Sequence, residues 1–159
     1  MKFKLAHVSD IHFFQACYSP TQFFNRRFLG NFNYLFSRRH KFDSNLIYNL
    51  SKKLKSNGIT SLLISGDLTC TASKKEFDKV ISMIKHLKNE GFTVYAFPGN
   101  HDVYTRAAHR EKSFYKELSH HLDFYGDYSL NLIDHGVAAY KLPHNTHLML
   151  LDATTFNRE

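Results

Sequence analysis

The sequence has little cysteine, no tryptophan and no long apolar run. Its 159 residues include two cysteines, Cys17 and Cys70, which are too few for a disulfide scaffold or a cysteine-based zinc module. No apolar run approaches the length of a membrane span, and the N-terminus lacks the apolar core of a secretory signal. With 43% hydrophobic and 22% charged residues the composition is globular, so we expect a single cytoplasmic domain over residues 1–159.

Acidic residues are missing altogether from residues 13–42, which we call the basic aromatic insert. This segment contains ten aromatic and five basic residues. The first 60 residues hold 10 Lys or Arg and 2 Asp or Glu, a net charge of 10 − 2 = +8. They therefore account for the whole net charge of the chain, which is +7. A basic surface favours anionic partners such as phosphate esters, nucleic acid or acidic lipid.

Short apolar segments alternate with amphipathic ones along the first hundred residues. The apolar segments predict three strands, at residues 3–9, 61–65 and 92–97. The amphipathic segments predict two helices, one over residues 45–56 with Asp43 as its N-cap and one between the capping-box residue Ser73 and Gly91. This alternation indicates an α/β fold with a parallel sheet. Farther along, we predict a helix at residues 107–122 and two adjacent strands at residues 136–142 and 146–152.

A polar cluster follows each of the first three predicted strands. The clusters are Asp10-Ile11-His12, Gly66-Asp67 and Gly99-Asn100-His101-Asp102. Any one alone could be a helix cap or a turn. Because the carboxyl ends of parallel strands share one edge of a sheet, we expect the three to converge. Carboxylate, imidazole and amide groups without a thiolate suit borderline or hard divalent ions, so the sequence favours a metal site.

The motif order Asp-x-His, Gly-Asp and Gly-Asn-His-Asp resembles that of the calcineurin-like metallophosphoesterase family over about residues 3–152. The resemblance implies the N-terminal part of a four-layer αββα sandwich. It also implies hydrolysis of phosphoric esters or pyrophosphates by a hydroxide that two divalent metal ions activate. Manganese is the metal we expect first, with iron, zinc or magnesium as alternatives.

Individual roles follow from the same resemblance. It implies four metal ligands, Asp10, His12, Asp67 and Asn100, with Asp67 shared by both ions. His101 would be the catalytic general acid that protonates the leaving group. Asp102 would orient His101 from behind it.

The later part of the family pattern, a further histidine and then Gly-His-x-His, has no counterpart in this chain. His135, His144 and His147 differ from it in spacing and position. We therefore expect that the chain is a C-terminally truncated portion of such an enzyme. With an incomplete ligand set, it should bind metal weakly and show little or no turnover by itself.

The basic aromatic insert leaves the sheet at the edge that carries the predicted metal site. It could place Arg26 and Arg27 on substrate phosphate, insert Phe side chains into the cytoplasmic face of a membrane, or simply pack as a cap with a solvated basic surface. The first two fit a lipid-linked phosphoester, and a nucleotide-linked one is the alternative. Two other functions stay open: a non-catalytic remnant of the fold, and a basic nucleic-acid-binding module, which would not explain the clusters at the strand ends.

Overall fold

The computed structural model describes residues 2–15 and 46–154. The strands are β1 (Leu5–Val8), β2 (Ser61–Ser65), β3 (Thr93–Phe97), β4 (Val137–Leu142) and β5 (Thr146–Leu151). The helices are α1 (Leu46–Ser56), α2 (Lys74–Asn89), α3 (Arg106–Arg110), α4 (Ser113–Leu118) and α5 (Leu132–His135), with a 3₁₀ helix at Asn100–Val103. None of the helices in this part of the chain is long and apolar enough to cross a bilayer.

The first three strands form a parallel sheet in the order β1-β2-β3, as the alternating pattern predicts. Alternate residues of β2 and β3 are buried: Leu62 and Ile64 are fully buried, and Val94 and Ala96 nearly so. They share one hydrophobic core with the apolar stripe of α2. The mixed α/β class expected from the sequence is therefore confirmed.

One predicted helix, at residues 107–122, is wrong in its extent. The chain forms two short helices, α3 and α4, because Lys112 between them has a left-handed backbone with φ of 48°. A continuous helix would keep every φ negative. The break lets α4 bury Phe114 and Leu118 completely, and the Phe114 ring packs edge-on against Phe77 of α2.

The last two strands form an antiparallel hairpin, in agreement with the prediction of two adjacent strands. His144 and Asn145, in the predicted turn, both have positive φ. A segment before the hairpin pairs with it, since the Asp127 amide donates to the Ala139 carbonyl at 2.6 Å. The hairpin lies near β3, where the rings of Tyr95 and Tyr140 meet at 4.9 Å.

Candidate metal centre

The loops after β1 and β2 run side by side beyond the ends of their strands. The His12 amide donates to the Asp67 carbonyl at 2.9 Å, and the Phe13 amide donates to the Leu68 carbonyl at 2.7 Å. The Cys70 amide in turn donates a hydrogen bond to the Phe13 carbonyl at 3.2 Å. The parallel pairing therefore continues into the loops and holds the first two polar clusters beside each other.

Three candidate ligands have left-handed backbone conformations. The φ angles are 57° at Asp10, 50° at His12 and 53° at Asp67. Each such residue costs roughly 1–2 kcal/mol relative to ordinary backbone. Strained backbone persists only where the surroundings enforce it, and it concentrates at functional sites.

Two glycines allow the second and third clusters to approach each other. A Cβ on Gly66 would lie 2.5 Å from the Gly99 nitrogen, and a Cβ on Gly99 would lie 2.2 Å from Asp67 Oδ1. No side chain fits at either distance. The glycines of the Gly-Asp and Gly-Asn motifs therefore have a steric role: they bring Asp67 against the loop that carries His101.

The side chains of His12, Asp67 and His101 converge. One potential ligand atom from each lies within 4.8 Å of the others. His12 Nε2 is 3.9 Å from Asp67 Oδ2 and 3.5 Å from Asp10 Oδ1. His12 is buried, Asp67 is 17% exposed and Asp10 is 60% exposed, so the group opens to solvent on the side of Asp10. The His12 imidazole and the two carboxylates are a donor set that fits a divalent metal ion, and the His101 imidazole lies beside them.

The protonation state of His12 also suits a ligand. Burial lowers its pKa, and the neighbouring His101 ring lowers it further, while the carboxylates of Asp67 and Asp10 act in the opposite direction. The net lowering favours the neutral imidazole, which is the form that coordinates a metal.

The two oxygens of Asp67 have different surroundings. Oδ1 accepts a hydrogen bond from the His101 amide at 3.0 Å, whereas Oδ2 is the oxygen nearer to His12. One oxygen therefore connects the second loop to the third, and the other is free to face an ion.

The His101 imidazole is held by a backbone carbonyl. Its Nδ1 lies 2.8 Å from the Cys70 carbonyl oxygen. Because a carbonyl only accepts, Nδ1 must carry the hydrogen, which leaves Nε2 as the nitrogen available to an ion or a substrate. The ring also meets His12 edge-on, with centroids 4.9 Å apart, and lies nearly parallel to Tyr104.

Asp102, which is expected to orient His101, contacts groups of two loops and not the imidazole ring. The fully buried Asp102 carboxylate accepts from the Leu68 amide, the Thr69 amide and hydroxyl, and the Gly99 amide, at 2.8–3.2 Å. It makes no hydrogen bond to the imidazole. Residues 101 and 102 are neighbours in a 3₁₀ helix, where successive side chains point about 120° apart, so Asp102 faces the protein while His101 faces the site.

Asp102 instead joins the second loop to the third by their backbones. Burial raises its pKa to about 6, although its N–H and O–H donors act against that rise. The His101 ring instead donates its hydrogen bond to the Cys70 carbonyl, which no side-chain motif reveals in the sequence.

Asn100, Arg26 and Arg27 are the remaining candidate residues. Asn100 begins the 3₁₀ helix directly before His101 and is exposed. Arg26 and Arg27, with residues 16–42 of the basic aromatic insert, lie outside the described residues. The start of the insert is anchored: Phe13 is buried beside Thr69, and the Phe14 carbonyl accepts from the Lys79 ammonium at 2.7 Å.

Glu76 is a supporting residue whose full role the sequence did not reveal. Its buried carboxylate accepts from the amides of Gln15, Thr71 and Ser73 and from the Thr71 hydroxyl, at 3.0–3.4 Å. The capping-box pattern predicts the bond to Ser73 alone. The further bonds to Gln15 and Thr71 attach the first two site loops to the N-terminus of α2.

Two comparisons with known proteins bear on the identity of the chain. A comparison with curated proteins found no match. A sequence model of one family, described as calcineurin-like phosphoesterase, matches residues 3–158, which is nearly the whole chain. The predicted resemblance is thereby confirmed, and the chain belongs to the calcineurin-like phosphoesterase family.

Proposed function

We propose that this chain carries a metal-dependent phosphoesterase site. The observation that supports the proposal most is the convergence of His12, Asp67 and His101, from the loops after three parallel strands, within 4.8 Å. Family membership independently associates the chain with phosphoester hydrolysis. Asp10, exposed beside His12, completes the donor set on the solvent side.

The proposal assigns a first divalent ion to Asp10, His12 and Asp67, and a second to Asp67 and Asn100. Manganese is the first choice of metal, with iron, zinc or magnesium as alternatives. Bound ions of this kind activate water as a nucleophile and neutralise charge on the phosphoryl oxygens. The substrate would be a nucleotide-linked or lipid-linked phosphoester that reaches the site from its exposed side.

His101 is proposed to protonate the leaving group. As the P–O bond to that group breaks, its electron pair stays on the departing oxygen, which takes the proton from Nε2. Because Nδ1 already donates to the Cys70 carbonyl, Nε2 carries a proton only when the ring is an imidazolium.

The function is tested with Asp67→Asn, which keeps the shape of the side chain and removes its charge. We expect the unaltered chain to bind Mn²⁺, measured by calorimetry, and to hydrolyse bis(p-nitrophenyl) phosphate slowly but only with the metal. The substitution should weaken Mn²⁺ binding at least about tenfold and abolish hydrolysis, since a charged ligand common to both ions is lost.

Asp78→Asn is the matched control because Asp78 is an exposed carboxylate on α2, and it should change neither measurement. Metal binding without any hydrolysis would overturn the enzymatic proposal in favour of a non-catalytic remnant. Binding that is equally strong in Asp67→Asn would overturn the metal site itself.

A further inference from the structure

Tyr104 contacts the ring of His101 and lies beyond every motif discussed above. The two rings are nearly parallel, with an interplanar angle of 15° and centroids 5.6 Å apart. Tyr104 directly follows the 3₁₀ helix that carries His101 and is half-buried. This geometry is an offset stack, the favoured arrangement for two planar rings.

A hydrogen bond alone does not define the orientation of an imidazole. The bond from Nδ1 to the Cys70 carbonyl fixes one atom of the His101 ring. The second side-chain torsion of histidine is broad, so the ring can still tilt about that point. A planar partner at stacking distance restricts the tilt, and Tyr104 is that partner.

We infer that Tyr104 is a positioning residue for His101 and holds its Nε2 toward the oxygen of the leaving group. The inference rests on the proposed function, in which His101 protonates that oxygen. The planar ring of Tyr104 restricts the tilt of the His101 ring, and its hydroxyl is not needed for this. Tyr104→Phe should therefore preserve the effect, and Tyr104→Leu or Tyr104→Met should remove it.

The kinetic test compares two aryl methyl phosphates, one with a p-nitrophenolate leaving group and one with unsubstituted phenolate. Nitrophenolate departs readily without a proton, whereas phenolate depends more on the acid. With Mn²⁺, Tyr104→Leu should lower kcat for the phenolate ester about tenfold more than for the nitrophenolate ester, with little change in KM. Tyr104→Phe should keep the wild-type ratio of the two rates.

If Tyr104 had only a structural role, Tyr104→Leu would lower kcat equally for both esters, and that result would overturn the inference. Tyr104→Met fills a similar volume without a planar ring and replaces the leucine variant if that variant does not fold. Tyr125→Leu is the control, because Tyr125 is 62% exposed, and it should leave the ratio unchanged.

A second measurement needs no turnover. In the metal-free chain, ¹³C relaxation of the His101 ring should show a rigid imidazole in the wild type and in Tyr104→Phe, and a more mobile one in Tyr104→Leu or Tyr104→Met. Equal mobility in all four proteins would overturn the inference. Wild-type protein with a rigid ring but no Mn²⁺-dependent hydrolysis would overturn the proposed function instead, so the two failures are distinguishable.

Discussion

Gly99 shows how a residue without a side chain can decide the geometry of a ligand. Its own φ is −101°, which any residue can adopt, so its need for glycine is purely steric. The space that a Cβ would occupy is filled by the Asp67 carboxylate, 2.2 Å away. The sequence alone indicates a turn at Pro98-Gly99, but only the structure shows that the turn is packed against a candidate ligand.

Gly99→Ala should therefore displace Asp67 and lower the affinity for Mn²⁺ by about tenfold or more, in the range seen when a group that supports a metal ligand is changed. Calorimetric titration measures the affinity. Gly58→Ala is the matched control, since Gly58 has a positive φ with open space around it, and it should cost about 1 kcal/mol of folding stability without changing metal affinity. Equal Mn²⁺ affinities in the two variants would contradict the steric role of Gly99.

At the scale of elements, α2 is the support on which the first two site loops are built. The capping box at Ser73 and Glu76 forms as the sequence predicts, and the helix ends at Asn89, near the predicted stop at Gly91. The sequence predicted the bounds of α2 closely because capping chemistry and apolar periodicity are both local properties. The bonds from Glu76 to Gln15 and Thr71 are not local, and no pattern within the helix predicts them.

Glu76→Ala should lower the free energy of unfolding by about 2 kcal/mol or more, because it removes a cap and breaks the hydrogen bonds that Glu76 accepts from Gln15, Thr71 and Ser73. Urea unfolding monitored by circular dichroism measures the change. Glu90→Ala is the control: Glu90 forms an exposed ion pair with Lys55 at 3.2 Å, and its loss should cost less than about 1 kcal/mol. If Glu76→Ala costs no more than Glu90→Ala, Glu76 does not anchor the loops.

At the scale of the whole described molecule, Tyr115 connects α4 to the end of the hairpin. Its hydroxyl donates to Asp152 Oδ2 at 2.5 Å, and the other oxygen of Asp152 accepts from the amide and hydroxyl of Thr154. Burial raises the pKa of Tyr115 well above the ordinary value of 10.0, and the adjacent Asp152 carboxylate raises it further. The folded protein therefore keeps this proton at pH values where the unfolded chain loses it.

A raised pKa in the folded state gives stability that is present below pH 10 and is lost as the pH rises above it. Wild-type protein should thus lose stability progressively above about pH 10, as measured by urea unfolding at a series of pH values. The Tyr115→Phe variant should lose less folding stability over the same pH range. It should still lose some stability above pH 10, because burial also raises the pKa of Tyr140.

Tyr125→Phe provides the comparison for this experiment, since Tyr125 is largely exposed. It should reproduce the wild-type pH dependence. Identical curves for Tyr115→Phe and the wild type would show that the Tyr115 proton is not linked to folding.

The sequence by itself determined the α/β class, the three parallel strands and the three polar clusters at their ends, because each depends on local periodicity and on short motifs. Its motifs also identified Asp10, His12, Asp67 and His101 as candidate site residues. The truncation of the chain and the roles of Arg26 and Arg27 stay predictions. Only the tertiary structure decided how the clusters meet: Asp102 binds backbone amides, and the His101 ring lies against the Cys70 carbonyl and the Tyr104 ring. The bonds from Leu68 to Asp102 and from His101 to Cys70 join residues more than 30 positions apart and involve backbone atoms, so no side-chain pattern along the chain records them. Tyr104 lies only three residues after His101, but the sequence does not show that the two rings stack.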